Sequence, residues 1–336
     1  MSKTKFLLHI GYGKTGTSTL QKAVFEPLRQ AGYIHYFGMF LGEQKDHPDR
    51  CFFDDLQAAM YLKEDAFAAV LPKLHEDLVA AEARNDANLP MVLSNEHFLL
   101  SSFSSRVRGV TIDVQESARR LALVFAQQDV RLLIGLRRQD SLLHSLFIEA
   151  IARTRHANAD QFESLEAYVA ECLSQGSLFH SMYDYDQCIA TYQANFPDAE
   201  LGVYLFEDFI RNEQDSLRMI LGLADIKQEG MEVITLPLPN HNVKDKAERG
   251  VRVRQKSALV DALDWIPGVR SAVRFARMIK PIENLRTRRI IPYLDESQKK
   301  QILTTFELSN VHLQERVPRI AALLSEYGYT RQDRSD

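Results

Sequence analysis

The run Gly11-Tyr12-Gly13-Lys14-Thr15-Gly16-Thr17-Ser18 places three glycines, one lysine and three serine or threonine hydroxyls within eight positions. Glycines let a backbone come close to a ligand, and the exposed N–H groups of a turn at a helix start point at it. Lys14 adds a full positive charge, and Thr15, Thr17 and Ser18 add hydroxyl donors. The chemistry this composition suits is binding of a phosphate-type group. A glycine-rich turn can also be a plain connector, but a connector needs neither the lysine nor the hydroxyls. Two other sets of residues could act on the same ligand. Glu96 and His97 follow the apolar run Met91-Val92-Leu93, and either could move a proton. For Glu96 the competing role is a helix-start or surface carboxylate; for His97 taken alone, a packed or solvent-facing histidine is the better reading. Arg137 and Ser145, eight residues apart, could grip one anion together.

The elements around these residues explain why they would meet. Phe6, Leu7, Leu8 and Ile10 form a short apolar run that fits a strand buried on both faces. After the glycines, Leu20, Ala23, Val24 and Leu28 recur at helical spacing, so the loop joins a strand to a helix. The Gly13-Lys14-Thr15 ending matches part of a Walker A loop, yet the first glycine of that motif would have to fall at Leu8. The loop is shorter than a nucleoside-triphosphate cradle. Residues 91–96 predict a second strand, 130–136 a third that runs into Arg137, and 201–206 a fourth. In a parallel sheet the carboxyl ends of strands hold ligands, which would put Glu96, His97 and Arg137 beside the loop at 11–18. Residues 33–40 predict a short strand or a pocket edge. The span 54–85 reads as two helices divided at Pro72, and further helices are expected over 113–128, 161–174, 184–195, 213–223 and, without a break, 296–326. Strands alternating with helices argue an α/β domain with a mainly parallel sheet.

Composition narrows the class. The chain has 336 residues, 45% hydrophobic and 26% charged, as ordinary globular proteins do. A formal charge of −4 gives no global attraction to nucleic acid or anionic membrane. The three cysteines are widely spaced and form no C-x-x-C pair, which suggests reduced thiols and a cytoplasmic setting. The apolar run at the start is too short for a signal peptide, and no transmembrane segment is expected. The segment 244–289 holds thirteen Lys or Arg against five acids; most of these read as a solvated face, and some could line a groove for an anionic ligand.

Taken together the residues resemble the sulfotransferases that use 3′-phosphoadenosine-5′-phosphosulfate (PAPS). Their 5′-phosphosulfate loop reads strand, G-x-x-K-[ST]-G-T-[ST], helix, and Gly11, Lys14, Thr15, Gly16, Thr17 and Ser18 fill it in register. Their 3′-phosphate site pairs a strand-end arginine with a serine eight residues on, the spacing of Arg137 and Ser145. The run Leu136 to Asp140 (LRRQD) and the segment Phe306 to Leu313 (FELSNVHL) are similar to bacterial members. The likeness runs from about residue 5 to 328, loosely over 34–89 and 226–295.

The resemblance implies a three-layer α/β/α fold of the P-loop NTPase-like type, with helical additions, as a single domain over 1–336. In that domain 34–89 and 226–295 would be acceptor-side or covering insertions, and 330–336 a frayed tail. It implies PAPS as donor, 3′,5′-adenosine bisphosphate as product, no required metal, and a carbohydrate or other hydroxyl-bearing acceptor. Lys14 would stabilise charge on the leaving oxygen, and Glu96, in preference to His97, would be the general base. The arginine-lysine-glycine signature of the cytosolic small-molecule members has only Glu248-Arg249-Gly250 as a counterpart, so Arg249 is at most a contributor. Two other classes stay open: a P-loop nucleotide kinase, which would want a full Walker A loop and an acidic Mg²⁺ ligand, and a nucleotide- or glycan-binding protein without catalysis.

Overall fold

Strands buried on both faces need apolar residues at nearly every position, and the apolar runs form such strands. The structure is a computed structural model that describes residues 5–38, 47–85, 88–99, 113–153, 164–239, 251–254, 287–290 and 293–330. Its main sheet has strands β1 (Lys5–His9), β2 (His35–Phe37), β3 (Met91–Ser94), β4 (Asp129–Leu136) and β5 (Glu200–Leu205), all parallel, in the order β2-β3-β1-β4-β5. Helices cover both faces. The fold is α/β, built on a parallel sheet. From central β1 the chain runs out to the edge at β2, returns to β3, then crosses β1 to reach β4 and β5. The reversal lies at β1, so the crevice beyond its carboxyl end is where an open parallel sheet binds ligands.

Successive residues point to opposite faces, and each face has its own core. Phe6, Leu8, Met91, Leu93, Leu132, Ile134 and Val203 pack with Phe52, Leu56, Phe67, Leu121 and Phe306. Leu7, Val92, Leu133 and Tyr204 pack with Leu20, Val24, Leu28, Leu217 and Ile220. The stretch 34–89 supplies edge strand β2 and helices whose Phe52, Leu56, Phe67, Leu74 and Leu78 belong to the first of these cores, on the face of Phe6 and Leu8.

Three expectations about element ends need correction. The helices at 54–85 are Arg50–Ala59 and Glu64–Ala83, divided at Met60-Tyr61-Leu62-Lys63, and Pro72 lies inside the second. Proline deprives the carbonyl four residues back of its partner; here that is Ala68, exposed like Pro72, so water can supply the bond. The helix expected over 296–326 stops at Arg316 and resumes at Ala321–Glu326. Pro318 disfavours helical geometry at Val317, whose φ is −126° and ψ 71°. The strand expected to reach Glu96 ends at Ser94, and Glu96–Phe98 is a 3-10 turn.

The helix after the loop also has a local irregularity. Residues 20–25 form π-helical turns between α-helical segments, immediately before Pro27. Pro27 has no N–H for the Ala23 carbonyl, and widened turns absorb that mismatch.

Candidate active site

Beyond β1 the chain stays beside β4: Ile10 N donates to the Leu133 carbonyl at 3.0 Å and Tyr12 N to the Gly135 carbonyl at 3.3 Å. This close approach needs Gly11, because a Cβ there would lie 2.6 Å from Gly135 N. The loop then turns through two left-handed residues, Lys14 at φ 70° and Gly16 at φ 92°. A non-glycine residue in that region costs about 1–2 kcal/mol. The strain falls on the one lysine of the loop, which is where functional sites store it.

The hydroxyls divide their work. Thr15 and Thr17 are buried, and both donate to the Tyr12 carbonyl, Thr17 at 3.2 Å. The sequence reading gave all three hydroxyls to the anion; the structure spends two of them on the turn itself. Ser18 and Lys14 are half-buried. The helix begins at Thr17, so its first N–H groups have no partner within the helix and the loop presents backbone donors.

From β3 comes Glu96. Asn95 Oδ1 accepts the His97 N–H at 3.0 Å and so starts the turn that carries both candidate bases. The Glu96 carboxyl rests on the loop: a Cβ at Gly13 would lie 3.4 Å from its Cδ and from Oε2. Burial, a hydrogen bond with Thr15 and the Glu96 charge all act on the Tyr204 phenol; burial dominates and raises its pKa. His97 is half-buried. The separation of Glu96 from His97 follows from a 3-10 turn rather than from the pleat of an extended strand.

From β4 come Arg137 and the helix Gln139–Arg153. Arg137 Nη1 donates to the Lys14 carbonyl at 3.1 Å, and its Nε donates to Ser141 Oγ at 2.9 Å. Its guanidinium lies 4.6 Å from the Phe206 ring centre. Burial holds its pKa below the ordinary range, and the Glu207 carboxylate is the chief opposing influence. Twelve residues along, Glu149 Oε2 meets Lys14 Nζ at 3.0 Å, with the two side chains 22% and 18% exposed. Ser141, Ser145 and Glu149 follow one another at four-residue steps, so they share a helical face. The first holds the arginine that grips the loop and the last pairs with the loop lysine, which brackets half-buried Ser145 between them. The ion pair with Glu149 was not anticipated, although its place on that polar face was legible.

The helix Phe206–Arg211, which follows β5, supplies contacts that sequence reasoning missed. Phe206 lies under Arg137, Phe209 lies 3.0 Å from where a Cβ at Gly16 would be, and Glu207 accepts from Arg138 N and from the Tyr329 hydroxyl. The two similar-looking segments LRRQD and FELSNVHL meet: Gln139 and Asn310, both buried, exchange amide hydrogen bonds at 2.8 and 3.2 Å. Arg249 lies outside the described residues, as does most of the basic segment. Its ends form an antiparallel pair, β6 (Val251–Arg254) with β7 (Thr287–Ile290), where Arg252 is opposite Arg289. β6 lies against the helix Gln139–Arg153.

With this geometry in place, the molecule can be set beside known ones. No family model matches the chain, and no curated protein does. Solved structures similar to it include two sulfotransferases. One is a sulfotransferase from Alicyclobacillus acidocaldarius, with 16% identity over 89% of this chain and 100% of that one, and a TM-score of 0.41. The other is the sulfotransferase domain of the Synechococcus PCC 7002 olefin synthase, with 12% identity over 90% and 94% and a TM-score of 0.34. Likeness at this level assigns no residue, and the chemistry of the site rests on the contacts above. Among the described residues no helix is long and apolar enough to cross a membrane.

Proposed function

We propose that this protein transfers a sulfuryl group from PAPS to a hydroxyl or amine of an acceptor, a carbohydrate or glycolipid. The observation that carries the reading is the convergence on one loop: the Glu96 carboxyl against Gly13, the Glu149-paired Lys14, and Arg137 on the Lys14 carbonyl. Three strand ends thus bring a carboxylate and two cations to a backbone that offers N–H donors. Such a cradle fits an anionic donor, since the left-handed turn at Lys14 and Gly16 and the helix start at Thr17 leave backbone N–H groups to donate. PAPS, when bound, supplies an activated sulfuryl group and a nucleotide leaving group. Glu96 takes the acceptor proton. Lys14 offsets negative charge on the leaving oxygen, for which it must exchange Glu149 for the anion. Gly11, Gly13 and the Thr15–Ser18 segment hold the 5′ end, and Arg137 with Ser145 holds the 3′-phosphate.

The test is transfer of labelled sulfate from PAPS to a panel of glycans, lipids and phenols, alongside thermal melts. 3′,5′-Adenosine bisphosphate without Mg²⁺ should stabilise the protein by about 2.7 kcal/mol at a hundredfold excess over its dissociation constant. ATP with Mg²⁺ should do much less. Equal or better stabilisation by ATP with Mg²⁺ would point to a kinase instead, and bisphosphate binding without transfer to any acceptor would point to a binding protein.

A further inference from the structure

The loop and Arg137 are also tied together from behind. The helix Leu178–Tyr183 is only six residues long, and Asp184 ends it by capping the next helix, Tyr185–Asn195, where it accepts the Gln187 N–H at 3.0 Å. The last carbonyls of so short a helix have no partner within it. One of them, that of Met182, accepts from the Tyr12 hydroxyl at 2.6 Å, with Cys188 Sγ 3.2 Å from the same hydroxyl. Arg137 lies between β4 and the helix Gln139–Arg153 and belongs to neither, and its carbonyl accepts from the Tyr185 hydroxyl at 2.6 Å. The two tyrosine rings meet, with centres 5.0 Å apart. Both residues are fully buried, so neither reaches a ligand. Burial, which raises the pKa of each phenol, keeps both protonated as donors.

These contacts close a ring. From Tyr12 the chain runs two residues to Lys14, whose carbonyl accepts from Arg137 Nη1 at 3.1 Å. The Arg137 carbonyl leads to Tyr185, and the Tyr185 ring leads back to Tyr12. The ring is anchored in turn by two adjacent residues of the helix Glu296–Arg316. Ser309 Oγ donates to Asp184 Oδ1 at 2.7 Å, and Asn310 Oδ1 accepts from Gln139 Nε2 at 2.8 Å. Asp184 precedes Tyr185 and Gln139 lies two residues after Arg137, so one helix holds both sides.

We propose that Tyr12 and Tyr185 are positioning residues that set the distance between the two anion grips, the loop and Arg137, so that the protein selects nucleotides with a phosphate at each end. The proposal deepens the sulfotransferase reading, and only its ligand arm rests on that reading. A ligand that bridges both grips binds better when they are held at the right spacing beforehand, because it loses no affinity to ordering them. A ligand held at one end gains nothing from the spacing.

The test compares Tyr12→Phe and Tyr185→Phe with Tyr192→Phe, which loses a buried hydroxyl bond from the same helix, to the Phe98 carbonyl at 2.9 Å. Binding is measured for 3′,5′-adenosine bisphosphate and for the 5′- and 3′-monophosphates of adenosine. In each of the first two variants bisphosphate affinity should fall roughly tenfold, the size of one broken buried hydrogen bond, and monophosphate affinity by about twofold at most. Tyr192→Phe should lower the melting temperature and leave the ratio of bisphosphate to monophosphate affinity at its wild-type value. An unchanged ratio in Tyr12→Phe or Tyr185→Phe overturns the proposal.

A second arm needs no ligand. Tyr12 N donates to the Gly135 carbonyl, so exchange of the Tyr12 amide hydrogen reports how firmly the loop is seated. Relative to the amides of β5, Tyr185→Phe should speed that exchange several-fold more than Tyr192→Phe does, and equal exchange in the two overturns the proposal. Failure of the wild type to bind the bisphosphate would instead count against the sulfotransferase reading, and the exchange arm would still decide whether the tyrosines tie the loop to Arg137.

Discussion

At the edge of the sheet, His35 Nε2 lies 2.7 Å from the fully buried Asp49 carboxylate, with His47 at 3.6 Å and Arg84 Nε at 2.9 Å. Under the loop, His9 is equally buried, and its hydrogen-bond partners among the described residues are a serine, Ser94, and a tyrosine, Tyr204. The first cluster ties β2 to the start of the helix Arg50–Ala59 and the end of Glu64–Ala83, and it does so with charge. Burial alone would raise the Asp49 pKa, but hydrogen bonds from His35 and Arg84 outweigh it and hold the carboxyl below its usual range. The second cluster uses no formal charge. A fixed carboxylate beneath the loop would oppose the anion proposed to bind there in a low-dielectric setting, whereas hydroxyl and amide groups would not oppose it. The charges that serve the loop sit at its rim instead, half-buried: Lys14, Glu96, Glu149 and Arg137. The same residue types thus tie elements together at the edge of the fold and gather at the rim of the proposed site.

If that division is right, rim and edge substitutions should have opposite signatures. The largest effect is expected at the rim. Glu96→Gln should cut turnover roughly 10²- to 10⁴-fold with melting temperature and bisphosphate affinity nearly unchanged, the loss of a positioned general base. His97→Ala should do less; a larger loss there would move the base to the histidine.

At the edge, Asp49→Ala leaves Arg84 and His35 without their carboxylate. Breaking a buried ion pair costs roughly 3–5 kcal/mol, and because Arg84 is 39% exposed the expected loss is about 2–3 kcal/mol, read by denaturant melts. Nucleotide affinity should not change. A melt like the wild type's would mean the edge cluster is not a brace.

Smaller still is Arg137→Ala, which should weaken nucleotides bearing a 3′-phosphate by about 1.5–3 kcal/mol and spare those without it, as measured by calorimetry. Equal weakening of both would make the residue a clamp on the Lys14 carbonyl and nothing more.

The smallest effect separates the clusters by pH. The lowered Asp49 pKa contributes stability that is complete above the ordinary aspartate value and is lost as pH falls through the folded value. Asp49→Asn should therefore flatten the acid limb of stability against pH. Tyr204→Phe should leave that limb as it is.

What the sequence determined by itself was local. Strands β1, β3, β4 and β5, the glycine loop and the helices Tyr185–Asn195 and Glu213–Leu223 were legible because apolar period, glycine and capping residues act within a few positions. The candidate rim residues Lys14, Glu96 and Arg137 were legible for a related reason: each ends or follows such a strand. Residues whose role depends on a distant partner were not. Glu149 lies 135 positions from Lys14 in the chain, Tyr204 lies 195 from His9, and Asn310 lies 171 from Gln139, each distance being the difference of the two numbers. Gly135 read as one more strand residue until Gly11 and the Tyr204 hydroxyl were found against it. Strand order and register decide such contacts, and they are set by how whole elements pack, because neighbouring residues carry no record of which strand will lie alongside.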